Sequence, residues 1–118
     1  MRRMIVAALL IFAFAAAAEA HALLKSAVPA VGAEVAPGPR ELRLTFSEEV
    51  EMRFSGVDVR EDGERTAVAA RATLDPADAR VVVVTLPAPL PPGRYRVHWH
   101  VVSVDTHRTE GDYGFQVK

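Results

Sequence analysis

Residues 94–101 read RYRVHWHV, with Tyr95, Val97, Trp99 and Val101 alternating against Arg94, Arg96, His98 and His100. A period of two belongs to a β-strand with one face on a core and the other in water, because successive Cβ atoms point to opposite faces. The neighbouring segments carry the same pattern. RELRLTFS at 40–47 turns Leu42, Leu44 and Phe46 inward against Arg43 and Thr45, and DYGFQV at 112–117 places Tyr113, Phe115 and Val117 on one face. ARVVVVTL at 79–86 is so rich in β-branched residues that a strand buried on both faces is expected. FSGVDVR at 54–60 leads to Asp62-Gly63, a hairpin-type turn, from which RTAVAARATL at 65–74 runs on.

With ALLKSAV at 22–28 the chain has about seven short strands, punctuated by VPAVG, APGP and PAPLPPG. DPAD at 75–78 has the look of a helix N-cap and suggests one helical turn. Trp99, Tyr95, Phe46, Phe54 and Phe115 are expected in the core. The fold class is therefore all-β, an antiparallel Greek-key barrel or Ig-like sandwich. A chain of 118 residues suits one domain.

Composition removes several kinds of chemistry. Absence of cysteine excludes disulfides, zinc-thiolate sites, iron-sulfur clusters and thiol catalysis. Fourteen Lys and Arg against 15 Asp and Glu, with no long run of either sign, do not resemble a nucleic-acid surface. No phosphate loop, nucleotide-binding glycine pattern, nucleophile with a base or metalloprotease helix is present.

Residues 1–20 form a separate object. Arg2 and Arg3 supply a positive start, IVAALLIFAFAAAA an apolar stretch too short for a bilayer span, and AEA a small-x-small cleavage site. This is the pattern of a secretory signal peptide, so the mature domain, 21–118, is expected outside the inner membrane and not inserted in it. Cleavage after Ala20 makes His21 the first residue, whereas cleavage after Ala22 starts the chain at Leu23.

Cleavage before His21 completes a metal site. The SVDTH stretch at 103–107 sets Asp105 two positions from His107, and in an extended segment such residues share a face. An N-terminal His21 adds its α-amine and imidazole Nδ1, which close a chelate ring on one ion. Three nitrogens and one oxygen in a tetragonal arrangement suit copper(II). Taken separately, Asp105 reads as a turn residue and His107 as a loop histidine; His98 and His100 read as solvated, with a secondary, weaker metal site as the alternative.

The stretches AHALLKSAVPAVGAEV, LTFSEEVEMRFSGVDV, LPPGRYRVHWHVVSVDTH and EGDYGFQV together resemble the CopC family of periplasmic copper-binding proteins, over essentially the whole mature length. The resemblance implies a cupredoxin-like Greek-key β-barrel holding one copper(II) through His21, Asp105 and His107, with Glu48 close to the ion. It implies a periplasmic copper carrier or sequestering protein in copper homeostasis and resistance, not an enzyme, with an inner-membrane CopD-type transporter as a separate partner. Thr106 stands where the family loop usually has glycine, so that loop must change its backbone or carry strain. With Met52 as the one methionine beyond the leader, a methionine-rich copper(I) site is not expected. The alternatives are an N-terminal-histidine copper monooxygenase, disfavoured by the carboxylate ligand and the short chain, and a metal-free Ig-like structural module.

Overall fold

The computed structural model describes residues 22–118. Among them are eight strands: β1 (Leu24–Val28), β2 (Glu34–Val35), β3 (Glu41–Phe46), β4 (Gly56–Glu61), β5 (Arg71–Asp75), β6 (Asp78–Thr85), β7 (Gly93–Val102) and β8 (Arg108–Val117). They form two four-stranded sheets, ordered β1-β3-β6-β5 and β2-β8-β7-β4. The chain changes sheet at each step from β1 to β5, and the β5–β6 and β7–β8 hairpins close the Greek-key sandwich. The short β2 pairs with β8 in parallel, an exception to the expected antiparallel pairing.

The alternation read from the sequence sets the core. Leu42, Leu44 and Phe46 of β3 face Tyr95, Val97, Trp99 and Val101 of β7 and Tyr113, Phe115 and Val117 of β8, all buried. Phe46 meets Trp99 edge-to-face at 5.1 Å between centroids, joining the two sheets, and Tyr95 stacks on its cross-strand partner Phe115 at 5.6 Å. Gly111 pairs with Trp99, and a Cβ there would lie 2.6 Å from the indole Cζ2. The missing side chain is what lets the indole lie across β8. Among the described residues the Tyr113 hydroxyl is the buried side-chain polar atom without a hydrogen-bond partner, and burial pushes its phenol far above the ordinary range.

Several expectations need correction. Val82 and Val84 of β6 are fully buried, but Val81 and Val83 are only half-buried, so this strand has one core face rather than two. Among the described residues no second layer covers its outer side. Phe54 is not in the core: it is 61% exposed, in a 3-10 turn over Met52–Phe54, with the Arg53 guanidinium over its ring. Asp62-Gly63 does make a turn, with Gly63 at φ +86°, but the hairpin after it shrinks to one bridge, Val59 to Val68. The chain there is leaving β4 for β5 in the opposite sheet. DPAD is a tight strand-to-strand turn rather than a helical one, and the Asp75 carboxylate accepts the Ala77 N–H at 2.8 Å.

Candidate metal centre

The β7–β8 connection is a tight turn. The Thr106 N–H donates to the Ser103 carbonyl at 2.8 Å and the Ser103 N–H to the His107 carbonyl at 2.9 Å, leaving Val104, Asp105 and Thr106 as the loop. A three-residue hairpin of this kind places its last loop residue in the left-handed region. Thr106 is that residue, with φ +74°, so the loop keeps the conformation that glycine favours and bears the strain of a β-branched side chain.

Asp105 and His107 therefore meet because the chain turns, not because it is extended as their spacing suggested. His107 Nδ1 lies 3.3 Å from Asp105 Oδ2, and the Ser103 hydroxyl donates to Asp105 Oδ1. The Ser103 hydrogen bond, then that of His107, holds the Asp105 carboxyl below its usual range and keeps it anionic. Ser103 is fully buried, so it fixes one carboxylate oxygen from beneath while the turn exposes Asp105 and His107. The sequence reading missed Ser103, because a hydroxyl-to-carboxylate bond between side chains depends on the turn that brings them together.

Two further segments converge here. Val50 bridges Ser103, the Val104 N–H donates to the Glu49 carbonyl, and the Glu51 N–H donates to the Val102 carbonyl. This lacing puts Glu48 in a cleft shared with Glu49, Asp78, Arg80 and Val104, a cleft that Asp105 and His107 do not line. Arg80 feels the charge of both glutamates there. At the start of the described chain, Ala22 is fully buried and its carbonyl accepts the Thr109 hydroxyl at 2.6 Å. Leu23 exchanges two hydrogen bonds with Ser47, each 2.8 Å.

The residue that follows His21 is thus fastened two positions beyond His107. His21 itself lies outside the described residues, as does the proposed leader. Among the described residues no three His, Asp or Glu side chains stand ready around one ion. Asp105 and His107 supply one oxygen and imidazole nitrogen, a donor set that copper(II) accepts and that leaves room for further ligands.

Residues 24–118 match the CopC domain. The chain belongs to the CopC family. It is 41% identical over 99 residues to protein YobA of Escherichia coli K12, covering 84% of this chain and 80% of that protein. It is 38% identical over 115 residues to copper resistance protein C of Escherichia coli, covering 92% and 90% of the two chains. The crystal structure of PcoC, a methionine-rich copper resistance protein from Escherichia coli, superposes with a TM-score of 0.76 at 41% identity, covering 84% of this chain and all of that one. In contrast with that methionine-rich relative, this CopC domain holds one methionine, Met52, among the described residues.

Proposed function

We propose that this CopC-family chain is a periplasmic copper(II)-binding protein of copper resistance and homeostasis, which carries or sequesters one ion and performs no reaction on it. Residues 1–20 are removed as a signal peptide, and residues 21–118 are the working domain. The ion is held by the α-amine and imidazole of His21, the carboxylate of Asp105 and the imidazole of His107, with Glu48 close by. The observation that carries this reading is the pairing of Asp105 and His107 on a turn beside which Ala22 is anchored through Thr109.

The chemistry follows from the ligands. Amine, imidazole and carboxylate favour copper(II), and the domain lacks the thiolates and clustered thioethers that hold copper(I), so reduction releases the ion. Release by reduction or to a competing site suits a carrier. The exposed apolar residues Leu23 and Val104 flank the Ser47 and Glu49 segment and offer a surface to an inner-membrane CopD-type transporter.

The test is copper(II) titration of the exported protein after its intact mass establishes His21 as the first residue. One equivalent of nitrogen-dominated tetragonal copper(II) is expected by electron paramagnetic resonance. Adding one residue before His21, or His107→Ala, should lower affinity at least tenfold. An extended protein that binds as tightly as the natural one rules out the terminal chelate.

A further inference from the structure

The outward face of β7 and β8 carries chemistry that the turn site does not use. Period-two alternation puts His98 and His100 opposite Trp99, on the solvent side of the sheet. The register sets Asp112 of β8 and Asp58 of β4 beside His98, and Glu110 and Gly56 beside His100. Three carboxylates thus surround two imidazoles. Four strand residues, about 13 Å at ~3.3 Å each, separate His98 from Val102 at the edge of the metal-binding turn.

We propose that this face binds a second divalent cation of the copper(II) or zinc class, ligated by His98 Nε2 and Glu110 and oriented by Asp112. His98 Nδ1 lies 2.8 Å from Asp112 Oδ1, and Nε2 lies 3.7 Å from Glu110 Oε2. A histidine whose one nitrogen donates to a carboxylate presents the other, unprotonated, to a metal; this outer partner fixes both tautomer and ring orientation. Two donors 3.7 Å apart can each reach one ion at bond lengths of about 2.0–2.2 Å. They form a bite of two ligands, with water completing the shell on this exposed surface.

His100 is the next imidazole along β7, and as placed it faces β4 rather than the ion. Its ring leans over Gly56, where a Cβ would stand 2.7 Å from Cε1, and its strand neighbour on the other side is Glu110. Opposing the ion are Arg108, whose Nη2 lies 3.6 Å from Glu110 Oε2, and Arg96 and Arg60 in the adjoining row. Arg108 must give up Glu110 when the metal binds, so the site is weaker than the one at the turn.

Zinc(II) alone is the probe, followed by calorimetry and by the ring signals of the histidines in nuclear magnetic resonance, using the exported protein and its His107→Ala variant. Zinc should bind the His107→Ala protein and shift the His98 ring signals. His98→Gln should lose at least tenfold in that affinity, and Asp112→Asn about tenfold, the usual cost of removing an orienting partner. If zinc binds the His98→Gln, His107→Ala double variant as tightly as His107→Ala alone, or leaves the His98 signals of His107→Ala unmoved, the face is not a metal site. Neither result bears on copper(II) held at His21, Asp105 and His107.

Discussion

The Thr109 hydroxyl donates a hydrogen bond to the Ala22 carbonyl at 2.6 Å, joining residues 87 positions apart. It ties the first described residue to the start of β8, two positions beyond His107. Thr109→Val keeps the shape of the side chain but leaves a buried carbonyl unpaired, at a cost of about 1–3 kcal/mol. Urea denaturation should show this loss. Copper(II) affinity should fall as well, because the segment carrying His21 is no longer held against the turn; unchanged affinity would show that the anchor serves stability alone.

Thr106 offers a gain in stability. A β-branched residue in the left-handed region costs roughly 1–3 kcal/mol, whereas glycine brings an entropic cost of about 0.5–1 kcal/mol. Thr106→Gly should therefore raise the urea midpoint, by the equivalent of about 1 kcal/mol. The turn hydrogen bonds between Ser103, Thr106 and His107 are backbone bonds and survive the change.

Gly111 is a packing requirement. A methyl group there collides with the Trp99 indole, which is itself held edge-on by Phe46. Gly111→Ala should destabilise by about 1–3 kcal/mol, the usual range for overpacking. Trp99 is the sole tryptophan in the chain, so its fluorescence should report a displaced ring even where the protein remains folded.

Tyr113 carries a hydroxyl that the core does not satisfy among the described residues. Tyr113→Phe removes a buried polar group and little volume, so the protein should gain about 1 kcal/mol or more in thermal or urea unfolding. A loss of stability would point to a partner for the hydroxyl in solution.

Acid stability should depend on Asp75. The Ala77 N–H, and after it the Arg43 guanidinium, hold its carboxyl below the usual carboxylate range. A folded value below the unfolded one stabilises the protein at pH values above about 4, and that contribution fades as pH falls through the folded value. Asp75→Asn should be less stable than the natural protein at neutral pH, with the difference shrinking below about pH 4. Parallel unfolding curves at every pH would contradict it.

Side-chain alternation is a local property, and it made β3, β7 and β8 legible, together with the buried positions on each. The nearness of Asp105 and His107 was legible because both lie within one short stretch, although it is the turn and not alternation that brings them together. What tertiary structure alone decided is which outer faces are covered and how the turns run. Val81 and Val83 look as apolar as Val82 and Val84, but among the described residues no layer packs over the outer side of β6. Phe54 has a core residue's composition and a surface position, because the 3-10 turn aims it away from both sheets. Thr106 adopts the left-handed conformation because the hairpin closed by Ser103 and His107 demands it, against the preference of its own side chain. The meeting of Ala22 with Thr109 and the opposition of His98 to Asp112 arise from pairing between segments distant in sequence. Register and the Greek-key crossings set those distances, and neither is encoded in any single stretch of residues.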